Sequence, residues 1–189
     1  MSRPLVALAV LLLPLFAAEA AHADGVAGRC QGRVIVQPFT GFADPADYFL
    51  APDGDFSAGA FGWDLSEAAV VGDNEPWNVG GGDVAAALQI DAGGTAASPT
   101  VCVTQDDPTM RFFARGSDGE LQVDVLYTDE YGEPQSLTVG TIAADGEWAP
   151  TPALPITANT YEMAVAFRFT AVGGDWTVDD VYIDPYRKG

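Results

Sequence analysis

The stretch Gly173-Gly174-Asp175-Trp176-Thr177-Val178-Asp179-Asp180-Val181-Tyr182-Ile183-Asp184-Pro185 decides the fold. Two glycines open it and a proline closes it, with β-branched and aromatic residues between, so it reads as a strand. Trp176 and Val178 share one parity of that strand, while Val181 and Ile183 share the other. Both apolar pairs can face one core only if the strand slips by one residue between them, which is what a β-bulge does. The slip falls on Asp179-Asp180. A carboxylate turned inward there needs a partner, because an unpaired buried charge is costly. Three outcomes stay open for it: hydrogen bonds from backbone N–H groups or an arginine, a hard cation such as calcium, or plain exposure to water.

Upstream, the same strand pattern recurs. Leu121, Val123, Val125 and Tyr127 alternate with polar residues, as do Tyr161, Met163, Val165, Phe167 and Phe169. Arg33–Gln37, Ala86–Ile90, Thr100–Thr104, Met110–Arg115 and Leu137–Ile142 are further strand candidates. Gly93-Gly94 is expected to turn the chain, and Gly116-Ser117-Asp118-Gly119 to join the strands on either side of it into a hairpin. Pro150, Pro152 and Pro155 exclude a central strand between them. Phe39 to Pro52 is irregular and aromatic, and is expected to wrap a sheet edge. No window beyond residue 23 has a helical period. Short strands separated by turn signals make the chain all-β, a jelly-roll β-sandwich in a single domain.

The N-terminus reads as a signal peptide. Arg3 supplies a positive start, Leu5 to Ala17 an apolar run, and Ala21-His22-Ala23 a small-x-small cleavage site. Cleavage after Ala23 would leave 24–189 as the domain, secreted and without a membrane span; an uncleaved anchor is the alternative. His22 is the only histidine in the chain. Once it is removed with the signal peptide, no Ser/His/Asp or Cys/His nucleophilic mechanism and no histidine-ligated metal site is available. Cys30 and Cys102 are the only cysteines, and in an exported chain they pair as a disulfide, with a metal pair or an intermolecular bridge as alternatives.

The formal net charge is −19, with 19 Asp against 8 Glu. That surface repels phosphate backbones and anionic lipid, so nucleic acid is excluded as a partner. The aspartates favour turns over helix interiors, which agrees with a strand-and-turn protein. Arg111, Arg115 and Arg168 lie on strand faces and are expected to pair with aspartates across strands.

Candidate ligand-binding residues lie in loops. Trp77, flanked by Asn74, Glu75 and Asn78, combines an aromatic face for stacking on a sugar ring with polar groups that hold hydroxyls. Tyr131 and Trp148 sit in polar turns of similar composition, whereas Trp63 and Trp176 read as core. The competing reading of each loop aromatic is a plug over a sheet. A glycosidase needs two carboxyls about 5 to 9.5 Å apart. No strand carries a Glu-x-Asp-x-x-Glu spacing, and Glu120, Glu133 and Glu147 fall in turns, so no catalytic residue is assigned.

Asp53-Gly54-Asp55-Phe56, Trp63 shortly after it, and the terminal Trp176-Thr177-Val178-Asp179-Asp180-Val181 together resemble carbohydrate-binding modules of the galactose-binding-domain-like type. Many such modules begin with an Asn-Gly-x-Phe-Glu strand, end with an Ile-Asp-Asp-Val strand, and carry a structural calcium ion where the two meet. The resemblance implies a jelly roll and a non-catalytic carbohydrate-binding role. It also implies one structural calcium at Asp180, with Asp55 as a further ligand. Ser57 stands where the family has Glu. The Asn74-Glu75-Pro76 loop and the Ser98-Pro99-x-x-Cys102 strand also resemble segments of secreted bacterial proteins of unassigned activity. The leading expectation is a secreted module that binds a glycan. The alternatives are an extracellular structural or interaction domain that binds a cell-surface protein and, less favoured, a small glycosidase working through carboxylates alone.

Overall fold

The computed structural model describes residue 30 and residues 32–82, 84–156 and 163–185. The signal segment 1–23 lies outside the described residues, as do Tyr161 and Glu162. Among the described residues the chain forms β1 (Phe49–Leu50), β2 (Asp64–Val71), β3 (Ala87–Ala97), β4 (Val101–Val103), β5 (Thr109–Gly116), β6 (Glu120–Thr128), β7 (Pro134–Ala143), β8 (Ala149–Pro150), β9 (Leu154–Pro155), β10 (Met163–Val172) and β11 (Trp176–Asp184). A 3-10 turn spans Thr40–Phe42.

The strands follow one antiparallel hydrogen-bonded path in the order β7-β6-β10-β3-β11-β5-β8, with β2 on β3, β4 on β10, β1 on β11 and β9 on β5. The path curls until its two ends face each other. Leu121, Val123 and Val125 of β6 and Val165, Phe167 and Phe169 of β10 share one buried cluster with Met110 and Phe112 of β5, Leu88 and Ile90 of β3, and Trp176 and Val178 of β11. The Phe112 and Phe169 rings meet edge to face at 5.0 Å, and Trp63 stacks on Phe169 at 6.0 Å. The result is the jelly-roll β-sandwich expected from the strand pattern.

β11 is bulged where its sequence requires it. Its register against β5 shifts between Asp179 and Tyr182, and Asp180 has a positive φ of 51°. Trp176, Val178, Val181 and Ile183 all enter the main core. The left-handed conformation is one that Asp tolerates better than β-branched residues do. Beyond the bulge the chain's beginning joins its end: Phe49 pairs with Ile183, Ala51 N–H donates to Val181 O at 2.8 Å, and Val181 N–H donates to Gly54 O at 3.0 Å.

Four local expectations are corrected. Arg33–Gln37 makes only an isolated bridge, Val36 to Tyr48, and is not a strand. Gly93-Gly94 does not reverse the chain. It lies inside the 11-residue β3, where Gly93 (φ 87°) and the register shift between Ser66 and Ala68 of β2 bend the pair from one layer to the other. Residues 116–119 do not close a hairpin, because β5 pairs with β11 and β6 pairs with β10 and β7. The chain instead crosses between layers and docks on the β10–β11 turn. Ser117 N–H donates to Asp175 O at 2.9 Å, and a Cβ on Gly119 (φ 68°) would lie 2.0 Å from Val172 O. Phe39–Pro52 does more than wrap an edge: Phe49–Leu50 pairs along β11, while Phe39, Tyr48, Phe113 and Tyr182 form a second buried cluster on the outer face of β5 and β11.

Cys30 and Cys102 are bonded, with Cα atoms 5.1 Å apart across a separation of 72 residues. Beside the disulfide, Arg33 pairs with the buried Asp107 at 2.7 Å and stacks 4.0 Å over Phe49. Closing a loop of that length stabilises the fold by about 4 kcal/mol on the chain-entropy model. Replacing both cysteines by serine should lower the unfolding free energy by about 2–4 kcal/mol in denaturant titration, with the glycan-independent fold retained.

Candidate functional site

The outward side of β11 and β5 carries the residues left over from the core. On β5, Phe113 and Arg115 point away from it, and on β11, Thr177, Asp179 and Tyr182 do the same. The loop that follows β2, residues 72–82, folds down onto this side. Asp73 receives Arg115 at 2.5 Å, and the Arg115 guanidinium lies 5.1 Å over the Trp148 ring. A shallow groove of about 260 Å³ opens beside Arg115, lined by Gln89, Ser117, Asp175 and Thr177 among others.

Trp77 stands at the crest of the loop. Its ring meets Phe42 edge to face at 4.8 Å and tilts against Phe113 at 5.5 Å, yet the residue keeps 47% of its surface exposed. It is therefore partly a plug and partly a free aromatic surface. Asn74 is half-buried and spends its amide N–H on Glu75 O at 2.9 Å. Asn78 is exposed, has φ 48°, and donates to Gly82 O at 3.2 Å. Tyr131 is 82% exposed, but it belongs to the β6–β7 turn, held by Asp129 through its backbone N–H at 2.9 Å. The structure thus brings Trp77, Asn74 and Asn78 into one loop and places Tyr131 in a different turn. Arg115, Asp73 and Trp148 join Trp77 on its side of the molecule. The place of Arg115 on a strand face was legible in the sequence of β5, but the loop's descent onto β5 is a tertiary event.

Under the loop sits a buried acidic group. Glu75, Asp179 and Asp180 are 1%, 1% and 3% exposed. Asp179 accepts Glu75 N–H at 3.2 Å and Asp180 N–H at 2.8 Å. Glu75 accepts the N–H groups of Trp77 and Val79, each at 2.5 Å. A Cβ on Gly80 would meet Asp180 Oδ1 at 3.0 Å, so glycine lets the loop close over the acid. Burial, then the charge of Asp180, pushes Asp179 up to about 8. Burial, then the charges of Glu75 and Asp55, pushes Asp180 up to about 7. Burial likewise raises the phenol of Tyr182 beside them, helped by Asp180 and Asp55.

Asp180 Oδ1 is buried without a well-formed hydrogen bond, although the Gly80 N–H and the Glu75 carboxyl lie close to the Asp180 side chain, and an oxygen so placed suits a hard cation. Asp55 is close enough to act on Asp180 electrostatically, but its own oxygens receive the N–H and Oγ–H of Ser57 at 3.3 and 3.1 Å. Among the described residues no three His, Cys, Asp or Glu side chains are grouped as a metal-ligand set. An ion at Asp180 would therefore complete its shell from main-chain carbonyls and water. The donor set fits calcium to that extent, since calcium accepts six to eight oxygens of mixed kind.

No family model and no curated protein sequence matches the chain. Solved structures do match its fold. The CBM22-1 xylan-binding domain of Xyn10C from Paenibacillus barcinonensis superposes with a TM-score of 0.52 at 12% identity, covering 72% of this chain and 94% of that domain. The CBM22-1-CBM22-2 tandem domain of the same Xyn10C superposes with a TM-score of 0.51 at 13% identity, covering 74% of this chain and 44% of the tandem. A family 29 carbohydrate-binding module gives a TM-score of 0.47 at 13% identity, covering 71% of this chain and 86% of that one. The chain has the β-sandwich fold of carbohydrate-binding modules.

Acids whose native pKa lies above the unfolded value hold protons that the unfolded chain releases. The stability this gives is full below about pH 4 and is lost as pH rises through the native values. With Asp179 at about 8 and Asp180 at about 7, the melting temperature in a chelating buffer should fall steadily between pH 5 and 8.5. Asp179→Asn should flatten that slope; an equally steep slope in the variant would remove the acid cluster as its source.

Proposed function

We propose that this chain is a secreted, non-catalytic module that binds a neutral glycan, with Trp77 as the stacking surface. The observation that carries this reading is the half-exposed Trp77 ring, held on Phe42 and Phe113 over a β-sandwich of the carbohydrate-binding kind. Asn74 and Asn78 in the same loop, with Arg115 and Asp73 beside it, are the groups for ring hydroxyls. Tyr131 would contact a ligand only at a separate point. Export is supported by the disulfide, which persists in oxidising compartments, together with the signal-like 1–23 segment.

The charge pattern supports a neutral ligand. Arg115 is already paired with Asp73, three further carboxyl groups lie behind Trp77, and the formal net charge is −19. Among the described residues every arginine is paired with an aspartate, so an acidic polysaccharide would meet repulsion there. Aromatic residues carry a large share of binding energy at recognition surfaces. In a glycan array followed by calorimetry, the wild type should bind a neutral oligosaccharide, and Trp77→Ala should weaken that binding at least about tenfold. Failure of the wild type to bind any glycan would overturn the reading.

One structural calcium ion is part of the proposal, held by Asp180 with Asp55 near it. It would neutralise the acid group and tie the 51–55 segment to the bulge of β11. The ion and protons would compete for the same carboxyls. Adding calcium at pH 8 should raise the melting temperature over that in chelator, with little gain at pH 5. An identical midpoint with and without calcium at pH 8 would exclude the ion.

A further inference from the structure

The loop that presents Trp77 is wrapped around a carboxylate of its own. Polar loops on a protein surface usually leave their backbone N–H groups to water. Here two of them, from Trp77 and Val79, converge on the two oxygens of Glu75, at 2.5 Å each. That side chain belongs to an exposed-looking Asn-Glu-Pro sequence, yet the residue is 1% exposed. Its own N–H is in turn held by Asp179 Oδ2 at 3.2 Å, from the strand 104 residues further on. Asn78, between the two bonded residues, takes a left-handed φ of 48°, so the chain turns tightly about the carboxylate. Trp77 is thereby fixed twice: its backbone by Glu75 and its ring by Phe42 and Phe113.

We infer that Glu75 is the positioning residue of the Trp77 surface, linking the β11 bulge at Asp179 to the backbone that orients the indole. Glu75 touches no ligand in this arrangement; it acts through Trp77. Short hydrogen bonds from backbone N–H groups to carboxyl oxygens are among the stronger ones, and burial removes the competition of water. An ordered loop also lowers the entropy lost when a ligand stacks on the ring, which is how preorganisation improves affinity. The consequence for affinity rests on the glycan-binding reading; the anchoring itself does not.

The test is amide hydrogen exchange by NMR on the full folded domain, with binding as a separate arm. In the wild type the Trp77 and Val79 amides should exchange at least about a hundredfold more slowly than in a free peptide. In Glu75→Gln one carboxylate oxygen becomes an NH2 group that cannot accept, so at least one of the two amides should speed up about tenfold or more. The amides of β6 and β10 should keep their wild-type rates, which separates local anchoring from general loss of stability. Trp77 fluorescence should become more open to a soluble quencher in the same variant. Free-peptide rates at Trp77 and Val79 in the wild type would overturn the inference without any variant. Unchanged rates at both amides in folded Glu75→Gln would overturn it as well. Where the wild type binds a glycan, Glu75→Gln should lose affinity in step with the exchange change. Where it binds none, the functional proposal falls, and the exchange result alone decides the role of Glu75.

Discussion

The bulge at Asp179-Asp180 is the constraint on which the rest of the structure depends. Without the one-residue slip, either Trp176 and Val178 or Val181 and Ile183 would face away from the core. The slip has a second effect. It ends the pairing of β11 with β3 and lets the segment 49–54 take over, so that Phe49 pairs with Ile183 and Gly54 with Val181. It also turns two carboxyl groups, those of Asp179 and Asp180, toward the loop above. One irregularity in one strand therefore closes the core, fastens the chain's beginning to its end, and supplies the floor of the candidate site.

Among the described residues the carboxyl groups drawn into the protein are of two physical kinds. Asp124 is buried but receives Arg168 at 2.7 Å, Thr138 Oγ1 at 2.6 Å and Gln122 at 3.0 Å. Burial alone would raise it, and those hydrogen bonds more than offset the rise, so it lies below the usual carboxylate range. Asp44 behaves alike, burial being outweighed by Tyr48, Ala46 N–H and Arg111. Among the described residues Asp179 and Asp180 have no arginine beside them and face each other and Glu75. Buried like charges without a counter-charge must bind protons or a cation. The first kind serves the sandwich itself. The second gathers under the Trp77 loop, against the backbone that carries the exposed indole.

The fold places aromatic surface and acidic floor on opposite sides of a single loop. Trp77 faces outward, Glu75 inward, and only one residue, Pro76, stands between them. A turn this tight leaves little freedom for the indole to move independently of the acid below it. Binding surfaces on loops usually carry an entropic cost for ordering. Here much of that ordering is built into the folded chain by the N–H groups that Glu75 holds.

Much of this was legible in the residues, and the reason differs by feature. Side-chain alternation on β6, β10 and β11 is a local consequence of strand geometry, so the strands, the core positions of Trp63 and Trp176, and the bulge could be read without coordinates. A single cysteine pair admits one intramolecular bridge. The arginine–aspartate pairs were expected in kind, though not in partner. What the chain could not reveal locally is which strand lies beside which. The turn at 116–119 has the composition of a hairpin, yet β5 and β6 belong to different layers, because pairing is set by long-range packing against β11 and β10. Gly93-Gly94 has the composition of a turn and instead bends a long strand. The role of Glu75 was hidden for the same reason: an acid in a polar loop looks solvated until the loop descends onto β11, 104 residues away. Sequence determined the alternating strands of the core, their buried faces and the slip in the last one, since these follow from neighbours along the chain. Tertiary structure alone decided layer, partner and site, because those depend on contacts whose entropy cost is met only when the whole sandwich closes.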